Sequence, residues 1–270
     1  MVTALEARGV AHEYPGGVRA LAGVDLVLEE GKLALLVGPN GSGKSTLLRI
    51  LGGILSPTRG EVEVRGRPIG AFSARTRARE LASVPQALRA LPETRVLAFV
   101  LGGRYAHLGF LGRAGTRDLE LARRALSEVD GLDWCERLLG ELSGGEGRRV
   151  LVARALAQES PILLFDEPTA SLDPGHAVQL FELVRALVDA GRTAVVATHE
   201  LSLAGRYADR MVLLDGGRVA AQGTPREILV RERLEPVYGA SLHFGEVEED
   251  GRAFPVVLPW PARGGRGSPR

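Results

Sequence analysis

Residues 38 to 46 read GPNGSGKST, which sets glycines, a lysine and a hydroxyl at the spacing G-x-x-x-x-G-K-[ST]. The chemistry of that spacing is phosphate binding. Gly38, Gly41 and Gly43 let backbone N–H groups face an anion, Lys44 brings a point charge to the β and γ oxygens, and Ser45 can ligate Mg2+. Pro39, Asn40, Ser42 and Thr46 complete the loop. Apolar LALLV precedes it and the helical pattern STLLRILGGI follows, so the expected ligand is ATP or GTP on a strand-loop-helix turn.

Two further apolar runs end in groups that can act on such a ligand. ILLFDE (162–167) delivers adjacent carboxylates: Asp166 to hold Mg2+, usually through water, and Glu167 to polarise or position an attacking water. An acidic pair after a strand can also simply cap the next helix. RTAVVATHE (192–200) ends in His199, placed to contact the γ-phosphate. Gln86, after LASVP, can bind Mg2+ or the lytic water, and Tyr14 can stack on an adenine face or pack at a strand edge.

One segment exceeds what a single nucleotide needs. LSGGE (142–146) places Ser143, Gly144 and Gly145 before a helical run, without a lysine or a preceding buried strand. Two readings stay open for the segment alone. Ser143 can be an ordinary N-cap, or its hydroxyl, the glycine N–H groups and the positive helix end can meet a γ-phosphate.

The elements that must position these groups follow from hydropathy pattern. LALLVG, PILLFDEP and RTAVVATHE are short and almost wholly apolar, as in parallel strands covered on both faces. Ligands of open parallel sheets sit beyond the strand carboxyl ends, which gathers Lys44, Asp166, Glu167 and His199 on one rim. Alternation in residues 24–38 and 60–69 predicts an early patch of antiparallel strands. From about 88 to 150 the pattern turns helical, broken at Gly131 and from Gly140 to Gly145, and predicts an inserted helical subdomain. From Pro255 the chain is rich in Pro, Gly and Arg and is expected to fray, leaving one domain over 1–254 and a flexible tail over 255–270.

Composition narrows the function classes. The 270 residues are 45% hydrophobic and 25% charged, an ordinary globular balance. With 34 Lys plus Arg against 33 Asp plus Glu, the chain has no field to attract nucleic acid. A single cysteine, Cys135, rules out an intrachain disulfide and agrees with the cytosol. No apolar run reaches the ~18 residues of a membrane span, and the N-terminus lacks a secretory pattern.

Taken in order, these motifs resemble the nucleotide-binding subunits of ATP-binding cassette (ABC) transporters, from Tyr14 to about Gly239. GPNGSGKST looks like the Walker A motif, Gln86 the Q-loop, LSGGE the signature motif, ILLFDE the Walker B motif with its glutamate, Ser171 to Asp173 the D-loop, and His199 the switch histidine. The resemblance implies an α/β fold: a P-loop NTPase core with a mainly parallel sheet, an N-terminal antiparallel β subdomain and a helical insertion. It implies ATP and Mg2+ as ligands, with Ser143, Gly144, Gly145, Glu146 and Asp173 joining the nucleotide site. It also implies two copies facing head to tail, each signature turn closing on the other's ATP.

Further partners implied are transmembrane permease subunits at the cytoplasmic face of the cell (inner) membrane and an external substrate-binding protein. Residues 87–113 should line the permease-docking groove. Within them VLGGRYAHLGFLGR, and GTPREIL with LEPVYG later, resemble cassettes of iron-siderophore, haem and cobalamin importers. The alternatives are a soluble non-transport ABC ATPase, or a cassette for another metal or small molecule. One departure stands out: Gly147 occupies a position usually held by a larger residue, so the signature helix is expected to start late or flex. That bears on the contact of Glu146 with nucleotide, while Arg148 and Arg149 read as a solvated helix face or as electrostatic compensation.

Overall fold

The computed structural model describes residues 2–86, 93–108, 113–170, 172–239, 242–249 and 251–259. The chain opens with β1 (Thr3–Tyr14) and β2 (Val18–Glu29), then β3 (Leu33–Val37), α1 (Lys44–Leu51), β4 (Arg59–Val64), β5 (Arg67–Pro68), α2 (Ala74–Glu80) and β6 (Leu81–Val84). The insertion carries α3 (Val96–Leu101), α4 (Thr116–Ser127) and α5 (Gly144–Ala157). Then come β7 (Ile162–Asp166), α6 (Pro174–Asp189), β8 (Thr193–Ala197), α7 (Leu201–Tyr207), β9 (Arg210–Asp215), β10 (Arg218–Gly223), α8 (Pro225–Ile228), α9 (Arg231–Tyr238), β11 (Leu242–Glu249) and β12 (Arg252–Pro259).

The strands form a six-stranded sheet in the order β10-β9-β3-β8-β7-β6 and an antiparallel one in the order β2-β1-β4-β5. β9, β3, β8, β7 and β6 pair in parallel, with β10 antiparallel at one edge. The apolar runs are continuous because both faces are covered. Leu33, Leu35 and Val37 enter a core shared with the insertion and α6, while Ala34 and Leu36 enter one shared with α1 and the antiparallel sheet. Leu163 and Phe165 against Ile162 and Leu164 divide in the same way.

The run 24–38 serves two sheets: it is cut at Gly31, whose φ of 67° turns the chain out of β2 and into β3. β1 escaped the sequence reading because its alternation breaks at Gly9 (φ 56°), where the pairing with β2 shifts register. Pro255–Pro259, expected to fray, instead belong to β12. That strand pairs with β11 and packs on α7, where the Ser202 hydroxyl donates to the Val257 carbonyl (3.0 Å). Proline is tolerated on such a two-stranded ribbon because half of its backbone N–H groups are not needed for pairing.

The insertion is less regular than a succession of helices. Between α4 and α5 the described backbone makes short 3-10 turns at Leu132–Trp134 and Leu139–Glu141, with buried Cys135 and a single antiparallel bridge from Leu138 to Arg95 between them. α5 runs past residue 150 to Ala157 and carries the insertion back to the core. Gly103 lies against this helix, where a Cβ would stand 2.3 Å from the Arg154 carbonyl oxygen. The Arg104 side chain, 5% exposed, bonds the Ala157 carbonyl (2.8 Å), Glu159 (2.7 Å) and Asp118 (3.1 Å), and so joins α4 to the end of α5.

Asp118 also accepts from the Gly115 N–H at the start of α4 (3.0 Å), and that bond, with Arg104, holds its carboxyl below the usual range. A depressed carboxylate stabilises the fold above its unfolded pKa and loses that contribution as pH falls through the folded value. Asp118→Asn should therefore lower the melting temperature at neutral pH, and the gap to the parent should close below about pH 4; a gap independent of pH would contradict the assignment. Gly103→Ala should destabilise by about 1–3 kcal/mol in urea titration, since the neighbour is backbone that must shift. An unchanged midpoint would contradict that close approach.

Candidate nucleotide site

The phosphate loop is built by close approach. At Gly38 (φ 149°) a Cβ would lie 2.2 Å from the Leu214 carbonyl oxygen, and at Gly43 (φ 101°) 2.6 Å from that of Ala20, so side chains are excluded there. Lys44 is buried and donates to the carbonyls of Gly38 (2.8 Å) and Pro39 (3.1 Å), folding its ammonium back across the loop. Burial pushes that ammonium down from its ordinary pKa, against the opposing pull of Glu167 and Asp166. Asn40 and Gly41 are exposed, while the buried Ser42 hydroxyl has no hydrogen-bond partner among the described residues. A loop with a folded-back cation and an orphaned hydroxyl fits an anion that would take both.

The parallel strands bring the distant groups to this loop. Ser45 donates to Asp166 (2.7 Å), uniting the end of the loop with the end of β7. These two oxygen ligands are the donor chemistry Mg2+ takes. Glu167 follows at φ 49°, left-handed backbone that strains a non-glycine residue, and its N–H donates to the Ala197 carbonyl (3.0 Å). One carboxylate oxygen lies 2.7 Å from Nδ1 of His199 and the other 4.0 Å from Nζ of Lys44. Lys44, Ser45, Asp166, Glu167 and His199 thus meet on one rim, as the strand ends predict.

The other expected residues are placed as follows. Tyr14, half-buried at the end of β1, bonds the Thr46 hydroxyl (3.2 Å) and takes the edge of His12 at 4.7 Å between ring centres. Gln86 is exposed beyond β6. Asp173 caps α6, accepting from the His176 N–H (3.0 Å), and Ser171 lies outside the described residues. Among the described residues no group of three or more His, Cys, Asp or Glu could hold a metal by itself.

The signature segment corrects the expectation drawn from Gly147. α5 starts at Gly144 without delay, and Gly147 donates normally to the Ser143 carbonyl (2.9 Å). A capping box overrides the weak helix propensity of glycine: the Ser143 hydroxyl accepts from the Glu146 N–H (3.2 Å), and the Glu146 carboxylate accepts from the Ser143 N–H (2.7 Å). Glu146 also pairs with Arg137 (2.9 Å), and the backbone bond is the main cause of its lowered pKa. Its carboxylate is therefore committed within the chain. Ser143 and Gly144 are exposed at the open, positive end of the helix.

Near the rim the structure corrects the reading of one residue and adds another. Arg148 is buried, not solvated, and its guanidinium donates to the carbonyls of Gln86 and Ala170. Tyr238 on α9 buries its hydroxyl beside the Gly38 backbone; burial pushes its pKa up to about 12, opposed by the hydrogen bond from that backbone. No sequence pattern marks either, since both depend on contacts between distant segments.

The ABC transporter family model matches residues 21–170. The chain is 41% identical to the cobalamin import ATP-binding protein BtuD of Halobacterium salinarum, over 90% of its own length but 61% of that relative's. It is also 41% identical to the hemin import ATP-binding protein HmuV of Pseudomonas putida, over 90% of this chain and 95% of that one. The cassette of a metal-chelate type ABC transporter, solved facing inward, superposes with TM-score 0.82 and 27% identity over 96% of this chain and 98% of that one. A bacterial ABC transporter cassette solved as a dimer gives TM-score 0.76 and 29% identity over 82% and 99%. With its phosphate loop, paired carboxylates and capped glycine turn arranged on this fold, the chain belongs to the ABC transporter family.

Proposed function

We propose that two copies of this chain clasp two ATP molecules between them and that hydrolysis drives a separate membrane permease. The observation that carries this reading is the division of the site. Lys44, Ser45, Asp166, Glu167 and His199 meet on the sheet rim, while Ser143 and Gly144 present an exposed helix end on the insertion. An exposed helix N-terminus with a free approach suits the γ-phosphate of a nucleotide held by another copy. The dimeric cassette among the similar structures supports the arrangement.

In this reading Lys44 leaves the loop carbonyls for the β and γ oxygens, and the Gly41 and Ser42 region cradles them. Ser45, Asp166 and Gln86 would hold Mg2+, which supplies charge neutralisation on the phosphate oxygens. Glu167 orients the attacking water and takes its proton, and His199, already against one Glu167 oxygen, fixes that carboxylate and reaches the γ-phosphate. Tyr14 stacks on the adenine from the end of β1. Asp173 lies at the head of α6, on the path to the facing copy.

Coupling to a permease is supported by the chain's surface and by its relatives. Among the described residues no helix is long and apolar enough to cross a membrane. Tyr105 is 72% exposed within the segment expected to meet permease helices, whose residues 87–92 and 109–112 lie outside those described. Relatives named for cobalamin and hemin import, and the metal-chelate type structure, support iron-siderophore, haem or cobalamin as cargo, delivered by an external binding protein, although a further relative is named for phosphonate import. The cassette then sits at the cytoplasmic face of the inner membrane.

Glu167→Gln should reduce ATP turnover by about a hundredfold or more, the scale of a lost general base, while retaining ATP and accumulating a dimer in size-exclusion chromatography. Turnover at the parent rate would remove Glu167 from its role. Ser143→Arg should abolish the ATP-dependent dimer yet leave ATP binding by the monomer intact in fluorescence titration. Loss of monomer binding would overturn the division of the site between two copies.

A further inference from the structure

Arg148 carries a charge where the fold does not need one. It is 8% exposed, and its guanidinium spans two carbonyls from different segments, that of Gln86 beyond β6 and that of Ala170 (3.1 Å) in the turn after Glu167. Among the described residues it has no ion-pair partner within salt-bridge distance. Asp166 and Glu167 act on it through space, and burial still pushes its pKa down. Burying a cation without an ion-pair partner is costly in desolvation, so a position that served only to pack α5 would be better filled by an apolar residue.

The two carbonyls show what the cation connects. The Ala170 N–H donates to the Glu167 carbonyl (3.2 Å), so the turn that receives Arg148 is the one that sets the strained backbone of Glu167. This turn leads on to Asp173 at the head of α6. Gln86 sits where the chain leaves β6, the neighbour of β7 in the sheet. Arg148 itself stands one turn into α5, the helix capped by Ser143. One planar side chain thereby touches the signature helix, the Gln86 segment and the Glu167 turn, and a guanidinium can do so because its donors point in fixed, divergent directions.

We propose that Arg148 is a positioning residue that locks the Gln86 segment to the Glu167 turn, so that a displacement of either is transmitted to the other and to the signature helix. The inference rests on the site reading above, with Glu167 as the hydrolytic residue and Gln86 as its partner. Arg148 touches no nucleotide in this scheme. It acts on the rate of the chemical step through the placement of Glu167.

The test is steady-state ATP hydrolysis by the full chain, with kcat and KM separated, for Arg148→Met, Arg148→Lys, Gln86→Ala, Glu167→Gln and the double variant Arg148→Met with Glu167→Gln. Losing a charge-assisted hydrogen bond that matters in the transition state should lower kcat about tenfold in Arg148→Met, with KM for ATP changed by less than about twofold. Arg148→Lys should recover part of the loss. The double variant should be no slower than Glu167→Gln alone, because Arg148 acts only through the placement of that carboxylate.

Parent-like kcat in Arg148→Met, or losses that multiply in the double variant, would overturn the proposal, as would a loss confined to KM. If Arg148→Met does not fold, Arg148→Lys alone decides: a single ammonium cannot keep the fork across both carbonyls, so its kcat must fall, and a parent value sinks the idea. Failure of the underlying site reading looks different. In that case Gln86→Ala and Glu167→Gln would hydrolyse ATP like the parent, whatever Arg148 does.

Discussion

The hydrogen bond from Ser45 to Asp166 spans 121 residues of sequence and holds together everything that follows. It exists because β3 and β7 run parallel on either side of β8, so that the phosphate loop and the acidic pair leave the sheet in the same direction. Strands buried on both faces leave little freedom of register. A one-residue slip of β7 would move Phe165 from one core to the other and carry Asp166 away from Ser45. The hydrophobic sorting of alternate residues is therefore what fixes the geometry of the polar rim.

Around that bond, the structure stores polar groups in temporary partnerships. Lys44 rests on its own loop carbonyls, Glu167 rests on His199 with strained backbone, and the Ser42 hydroxyl has no partner among the described residues. Each is a group whose better partner is a charged oxygen, and together they describe a site organised ahead of its ligand, so that little rearrangement is needed when phosphate arrives. Glu146 contrasts with them. Its carboxylate is engaged by the Ser143 N–H and by Arg137, which ties down the turn.

The insertion shows how a helix end can be displayed. α5 is anchored at its far end through Arg104, which bonds the Ala157 carbonyl, while its near end is capped from within and left exposed. The capping box satisfies the first N–H groups locally, so the turn keeps its shape without support from the nucleotide core. Gly147 is harmless under these conditions: the cap supplies the nucleation that glycine fails to favour.

The sequence alone sufficed for the phosphate loop, the acidic pair, His199 and the parallel sheet that gathers them, because each is written in contiguous residues: a glycine spacing, or an apolar run ending in a polar group. It also offered the serine at the head of α5 as a cap, one of the two readings the segment alone left open. Tertiary structure alone decided that the run through Gly31 feeds two sheets, that Pro255–Pro259 pair with β11 on α7, and that Arg148 and Tyr238 turn inward toward the rim. The physical reason is range. Periodicity and motif spacing record what a residue needs from its near neighbours, whereas a guanidinium between Gln86 and Ala170 is fixed by carbonyls that come close only after the sheet has formed.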